Sequence, residues 1–491
     1  MVPRSCYGGV VSVFGWAVFL LFDVKTVHAF HITGSLFHQI GGMNQDMTKM
    51  PFFSKAKSFP VKFASTPLPA KHSQRKSYIV SKMTSGEKTA DMVGSYQVKI
   101  LRSIDEISED EWNACALDSA GEGKENPFVL WAFFKALEDS KSAVGSVGWA
   151  PSHLSVRNAS GALIGVVPLY LKSHSYGEYV FDQSWARAYP HFSRRDSYYP
   201  KLQSCVPFTP VTGPRLLARG TTHEEVSAGR RTLAQALVRV CVDSGVSGLH
   251  VTFPSKDEWH VLTGAGFVGR VGVQYHWDNA GYGCFDDFLM QLKQSRRKSI
   301  RQERNKVRAA GLTIARLRGT EITKAHWDAF YGFYCATVDS KWGIAYLEPA
   351  FFSTMGRLLG DKVLLIVAYD QAGTLVAGAL NLIGGDTLYG RNWGCLPDAR
   401  YDALHFELCY YQAIEAALEL GLQRVEAGAQ GEHKISRGYL PRRTYSAHLL
   451  VNPGMRDAVS AALAQERVAM EQTIARLAAE ESPFKPAPVP S

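Results

Sequence analysis

The chain has 491 residues, and 46% hydrophobic against 20% charged residues describes folded domains with large cores, more than one ordinary domain's length of them. Its formal net charge of +9 is concentrated at the start: residues 1–90 hold 11 Lys/Arg against 3 Asp/Glu, and the remaining 401 hold 43 against 42. With the body almost neutral, the basic isoelectric point is no sign of a nucleic-acid surface, and no DNA partner is expected.

Arg4 precedes the apolar run VVSVFGWAVFLLF (10–22) and the small-residue site Val27-His28-Ala29, so 1–29 reads as a signal peptide. The run is short for a membrane span, and the mature form is expected not to span one. Residues 30–92 are rich in Lys, Ser, Thr and Pro, nearly free of acids, and without helical or strand periodicity, the composition of a transit peptide. In series, with Phe30 after the expected cut, the two resemble the bipartite plastid leader of algae with secondary plastids. The alternatives are a signal anchor or a mispredicted start, with the secretory pathway or mitochondrion as destination.

The body opens with the strand QVKIL and a helix over EDEWNACAL that Ser108 caps, followed by a helix over FVLWAFFKALEDS. Ser155–Leu171 and 367–383 then share one order: strand, polar turn with a glycine (Gly161, Gly373), long apolar strand, second hairpin ending in Trp. A helix follows in each copy (232–245 and 407–421), then a strand after its glycine (LHVTF, RVEAG). This repeat predicts an α/β fold of two similar domains with mixed central sheets, over 93–290 and 291–455. A C-terminal helix over 456–482 and a disordered tail over 483–491 complete the chain.

Between the copies, residues 293–311 carry eight Lys/Arg and one acid, Glu303, with a thin apolar stripe, which predicts a surface helix. It is either a solvated face or a phosphate site, with Arg296, Arg297 and Arg301 as the donor-binding candidates. The eight cysteines are scattered with no C-x-x-C pair, so neither zinc nor a disulfide scaffold is expected, and no metal is.

The second copy holds the richest chemistry. On the helix LHFELCYYQAIEAALEL (404–420), Glu407 falls inside the apolar stripe of Leu404, Tyr411, Ile414 and Leu418, and so needs a partner, a raised pKa or a pocket. A partner would be Arg391 or Lys434. His405 falls on the polar side. Beyond RVEAG, the loop Gly428–Lys434 places Gln430, Glu432, His433 and Lys434 at a strand end, where functional groups concentrate. Arg391, Asn392 and Trp393 on a hairpin, Lys341 and Trp342 after an aromatic helix, and Tyr411 are candidates for substrate binding.

The phrases NPFVLWAFFKALE, YYPKLQSCVPFTPVTGPRLL, RRKSIRQERNKVRAAGL, LNLIGGDTLYGRNWGC and VEAGAQGEHKISRGYLP are similar to the peptidoglycan-biosynthesis-like predicted N-acyltransferase family, related to the Fem peptidyltransferases in the GNAT superfamily. The resemblance implies tandem GNAT-like (acyl-CoA N-acyltransferase-like) domains. It also implies acyl transfer to a small-molecule or peptide amine, with acyl-CoA as co-substrate and no tightly bound cofactor. Such chemistry needs a base for the ammonium proton and donors for the oxyanion. Glu407 leads as base, with Glu432 and His433 behind it, and Lys434 resembles the lysine that serves Fem enzymes in a comparable loop. The GNAT pyrophosphate motif [Gln/Arg]-x-x-Gly-x-[Gly/Ala] is missing, which leaves aminoacyl-tRNA open as donor and tRNA as partner. A non-catalytic binding protein on the same fold is the third reading.

Overall fold

The computed structural model describes residues 96–486 apart from 195, 341, 342, 399, 400, 429 and 430. The signal and transit segments, Lys341, Trp342, Gln430 and residues 487–491 of the tail lie outside the described residues.

The first half supplies β1 (Tyr96–Leu101), β2 (Trp149–Pro151), β3 (His153–Asn158), β4 (Leu163–Val167), β5 (Tyr170–Lys172), β6 (Lys201–Ser204), β7 (Leu217–Ala218), β8 (Gly248–Thr252) and β9 (Val268–Asp278). The second supplies β10 (Thr313–Arg318), β11 (Val363–Tyr369), β12 (Leu375–Ile383), β13 (Thr387–Cys395), β14 (Arg424–Glu426) and β15 (Leu440–Leu450). Strands β1-β3-β4-β7 form a four-stranded sheet, and the other eleven form one mixed sheet in the order β10-β11-β12-β13-β14-β9-β15-β8-β6-β5-β2. The fold is mixed α/β.

Strands β11 and β12 are apolar almost throughout because both their faces are covered. Leu365, Val367, Leu380 and Leu382 face the helices Trp131–Asp139, Lys324–Asp339 and Pro349–Leu359. Leu364, Ile366, Ala377 and Ala379 face the helix over 404–419. Each of the Leu, Ile and Val side chains among them contributes roughly 1.5–3 kcal/mol by leaving water.

One expected helix starts early, and two short helices lie outside the elements expected above. The capping box of Thr222 and Glu225 begins a helix at His223, ahead of the apolar periodicity that starts at Thr232. Helices Lys256–Gly264 and Pro349–Leu359 are short, and their starts are set by Ser255 capping and by Pro349 rather than by a long apolar stripe. In the first half the expected second hairpin ending in Trp is replaced by the helix Gln183–Phe192, which contains Trp185. The C-terminal helix Pro453–Glu480 buries Met455, Val459, Leu463, Ile474 and Leu477.

Each half contains one parallel pair, β6 with β8 and β13 with β14. The last strand of each half pairs across to the other: β9 runs antiparallel to β14, and β15 runs antiparallel to β8. The two exchanged strands also pair with each other over nine positions, Leu440↔His276 to His448↔Val268. A chain ended at Gly438 is therefore expected to leave β8 paired with β6 on one side and bare on the other. Hydrogen exchange should then show the β8 amides on the β15 side unprotected, whereas in the full chain they are among the slowest.

Candidate active site

Strands β13 and β14 stay paired only over Thr387↔Arg424, Leu388↔Val425 and Tyr389↔Glu426. Past Tyr389, β13 continues to Cys395 while β14 stops, so the sheet opens into a gap. Gly390 stands at the fork, where a Cβ would lie 3.3 Å from both the Asn381 side-chain oxygen and the Glu426 carbonyl oxygen. The residue must be small for the strands to stay this close before they part.

Glu426 is the last residue of β14 and is 7% exposed. Its Oε1 accepts a 2.7 Å hydrogen bond from the Thr212 hydroxyl, on a loop of the first half. Burial pushes the carboxyl up to about 7, against the opposing effects of Thr212 and Arg424. Opposite it in the ladder is His276 of β9, whose Nδ1 lies 3.8 Å from Oε1. The ring is pulled down to about 3, chiefly by burial and then by the Arg424 cation, and is neutral. Its tautomer follows from its neighbours. Gln274 Nε2 donates to the Pro210 carbonyl, which turns Gln274 Oε1 to His276 Nε2 at 3.3 Å, so Nε2 carries the proton. Nδ1 therefore presents a lone pair to Glu426. Sequence periodicity misses this acid because its burial comes from residues 212 and 276, far away in the chain.

Lys434 is 3% exposed, in the short 3-10 helix Glu432–Arg437. Its ammonium donates to the Gly428 carbonyl at 3.0 Å, and burial pulls it down to about 8. It is near enough to His276 for its charge to act on that ring. His433 turns to the Tyr410 hydroxyl at 3.0 Å and is pulled down to about 4, by burial first and then by the Arg437 and Lys434 cations. Glu432 is exposed.

Glu407 is buried at 3% exposure, as its stripe position predicts, but its partner is neither Arg391 nor Lys434. Arg304, on the basic helix Gln294–Ala309, donates Nε and Nη2 to its two oxygens at 3.2 and 3.0 Å, and Gln412 adds a third bond at 2.9 Å. The helix makes a π turn over Glu407–Tyr411, the irregularity often found where side chains are redirected in a functional helix. Tyr411 is fully buried, with its hydroxyl bonded to Glu303 and accepting from Arg437 at 3.2 Å. His405, expected on a solvated side, is half-buried against the rings of Trp393, Phe406 and Tyr410. Thus Glu303 and Arg304 turn inward, to Arg437 and to Glu407, while Arg296 and Arg301 stay exposed and Arg297 leans on Met290.

Arg391 and Asn392 line a pocket of about 270 Å³, part of it open to solvent, together with Thr209 and apolar side chains of both halves. Trp393 points to the opposite face, against His405. No group of three or more His, Cys, Asp or Glu among the described residues is placed to hold a metal ion, and no helix among them is long and apolar enough to cross a membrane.

The corresponding fork of the first half is closed. After β6 and β8 part, the buried Arg215 spans the gap, donating to the Thr252 carbonyl at 3.1 Å and to the Val211 carbonyl at 2.6 Å. Glu258 fixes that loop through the Arg215 and Leu216 amides. Among the described residues, the second half alone keeps an open fork.

Residues 103–486 match the FemAB-like family, described as peptidoglycan biosynthesis/recognition. No curated protein matches the chain. Among solved structures it is similar to FemX, at 10% identity over 72% of this chain and 98% of that one, with a TM-score of 0.46. It is similar also to the C-terminal domain of a putative lysylphosphatidylglycerol synthetase from Agrobacterium fabrum (10% identity, 78% and 100% covered, TM-score 0.43). A third is a conserved Enterococcus faecalis protein described as a probable N-acyltransferase (11%, 74% and 74%, 0.31).

Arg304→Ala leaves Glu407 buried without its cation and should lower stability by roughly 3–5 kcal/mol in denaturant melts, with much of the loss recovered in the Arg304→Met/Glu407→Leu pair. Glu426 acts in the opposite sense. Its folded pKa lies above its unfolded one, so its stabilising contribution is full below about 4.5 and is lost as pH rises through about 7. Glu426→Gln should remove that decline, gaining about 3 kcal/mol relative to the parent between pH 4.5 and 8 in the same melts.

Proposed function

Because the chain belongs to the FemAB-like family, we propose that it is an acyltransferase that joins an acyl group to an amine at the fork of β13 and β14. The observation that carries this reading is Glu426: a buried carboxyl with a pKa near neutrality, at the one open strand fork among the described residues. A base for an ammonium proton works best with a pKa near the working pH, and burial supplies it here.

In this reading Glu426, ionised, takes a proton from the acceptor's ammonium, with His276 Nδ1 beside it, and the nitrogen lone pair so freed attacks the acyl carbon. The forming oxyanion lies against the β13 edge beyond Tyr389, where no described strand satisfies the backbone. Lys434, still largely protonated at neutral pH, is suited to hand a proton to a departing thiolate, whose own pKa of about 8.5 is close to it. Glu407 keeps the helix and the basic helix together rather than meeting substrate.

The donor in this proposal is an acyl-CoA thioester. One observation favours a second donor, aminoacyl-tRNA: Arg296, Lys298, Arg301 and Arg308 stay exposed on the basic helix, where they suit a polyanion. A melting series with acyl-CoAs, set beside gel retardation with aminoacylated tRNA, separates the two. A CoA-induced rise in melting temperature selects the first. A retarded band lost in the Arg296/Arg297/Arg301 triple variant selects the second.

With the donor in hand, kcat/KM should be bell-shaped in pH, rising through about 7 as Glu426 ionises and falling above about 8 as Lys434 loses its proton. Glu426→Gln should lose roughly 10²–10⁴-fold in kcat and the acid limb with it. Lys434→Met should lose the alkaline limb. A Glu426→Gln enzyme of parental rate and pH profile would falsify the assignment.

A further inference from the structure

The carboxyl at the fork belongs to the second half, but the first half holds it. Thr212, whose hydroxyl donates to Glu426 at 2.7 Å, lies on a loop of the first half, so whatever fixes that loop also fixes the carboxyl's partner. The loop's start is tied to β13, where Arg391 Nε donates to the Thr209 hydroxyl at 3.1 Å. Its end is tied beyond β8, with the Gly213 amide on the Phe253 carbonyl at 3.1 Å. Between these, Asn126 Nδ2 donates to the Thr212 carbonyl at 3.0 Å.

Asn126 is 3% exposed and uses both ends of its side chain. Its Oδ1 accepts from the Phe128 amide at 3.0 Å and caps the 3-10 turn Pro127–Val129, which leaves Nδ2 facing Thr212. Gly213 lets the loop come this close, because a Cβ there would lie 2.5 Å from Asn126 Nδ2.

The segment that carries Asn126 is itself fastened to the second half. The Gly385 amide donates to the Glu125 carbonyl at 3.0 Å, and the Glu125 carboxylate pairs with Lys362. A Cβ on Gly385 would stand 2.3 Å from the Gly123 carbonyl oxygen, and one on Gly384 2.6 Å from that of Glu125, so the turn before β13 has no room for side chains there. The carbonyl of Asp386, next in that turn, accepts from the amides of Gln423 and Arg424 at 2.8 and 3.1 Å, where β14 begins. These contacts close a ring. The turn sets the start of β14, β14 ends in Glu426, Glu426 meets Thr212, Thr212 meets Asn126, and the segment of Asn126 returns to the turn.

We propose that Asn126 is a positioning residue for the reaction, holding the loop by the Thr212 carbonyl so that the hydroxyl and amide of Thr212 both serve Glu426. Both favour the charged carboxylate and oppose the effect of burial, so without them the group would ionise only at higher pH. The other charged or titratable groups about Glu426 are Arg424 on its own strand, Tyr389 and Asp386 from β13 and its turn, His276 across the ladder, and Arg215. All of them stay in place in the tests below. The catalytic consequence rests on the reading of Glu426 as the base; the hold on the carboxyl does not.

Carbon-13 NMR of the full chain, labelled at the glutamate carboxyl carbons, reads that hold without any substrate. The Glu426 resonance is the one absent from Glu426→Gln, and in the parent it should titrate at about 7. Thr212→Val keeps the shape and loses the hydroxyl, so the midpoint should rise by about one pH unit, and Thr212→Ser should restore it. Asn126→Ser still caps the Phe128 amide but is too short to reach Thr212. It should raise the midpoint at least as far as Thr212→Val, since hydroxyl and amide are released together, and adding Thr212→Val to it should raise it no further. Asn126→Ala, which loses the cap as well, should give the same midpoint at a lower melting temperature. A parental midpoint in a folded Asn126 variant, or shifts at the two positions that simply add, overturns the proposal, and Asn126 then serves the fold alone. The two readings fail separately. With the donor that the melting series selects, the acid limb of kcat/KM should move with the midpoint. A limb that stays while the midpoint moves would leave the hold standing and remove Glu426 as the base. Midpoints that stay while Glu426→Gln loses activity would do the reverse.

Discussion

Two parallel strands that stay together for three residues and then part set the terms for everything chemical in this protein. Parallel pairing between β13 and β14 is maintained only to Glu426, and the backbone beyond must find other partners or face a ligand. A glycine at the fork, a carboxyl at the end of the shorter strand and a loop of the other half laid over both follow from that geometry. The first half shows what happens when the fork is not needed. There Arg215 bonds the carbonyls on either side and seals it, so the chain holds an open and a closed version of the same construction.

Buried charge serves different ends on the two sides of the molecule. In the second half, the ion pairs Arg304–Glu407 and Arg437–Glu303 clamp the basic helix to the helix over 404–419 and to the Glu432–Arg437 turn. In the first half, Lys201 is fully buried between Glu178 and Asp182, Asp182 accepts from Tyr198, and Tyr198 meets His250. His250 Nδ1 lies 2.9 Å from His448 Nδ1, with β8 on one side and the exchanged β15 on the other. Burial holds His250 down to about 3, so the contact joins neutral rings. A strand slipped by one residue would turn His448 away from this chain of polar groups and leave it unsatisfied, which fixes the register of β15 more firmly than apolar packing alone.

How much of this was legible in the sequence depends on how local each cause was. The strands β11 to β13 and the helix after them follow from short β-branched runs, turn residues and a 3.6-residue stripe, and they stand where the pattern puts them. Glu407 was legible as a buried acid for the same reason. Its partner was not, because Arg304 lies in a helix whose composition reads as solvated, and only the fold reveals that its Glu303–Arg304 face turns inward. Glu426 is the harder case. A single acid at the end of a strand is unremarkable in sequence, and its altered acidity comes from burial beneath parts of the first half, Thr212 and His276 among them, that only the fold brings to it. The π turn has no local signature at all in LHFELCYYQAIEAALEL.

The exchange of final strands bears on how the protein is made. As the chain leaves the ribosome, β8 emerges early and must wait for β15, the last strand of the sheet to be synthesised. Until then one flank of the first half is a bare strand edge, the kind of surface that recruits unwanted partners. The antiparallel β9–β15 seam closes only when both halves exist, so neither half's share of the sheet is finished without the other.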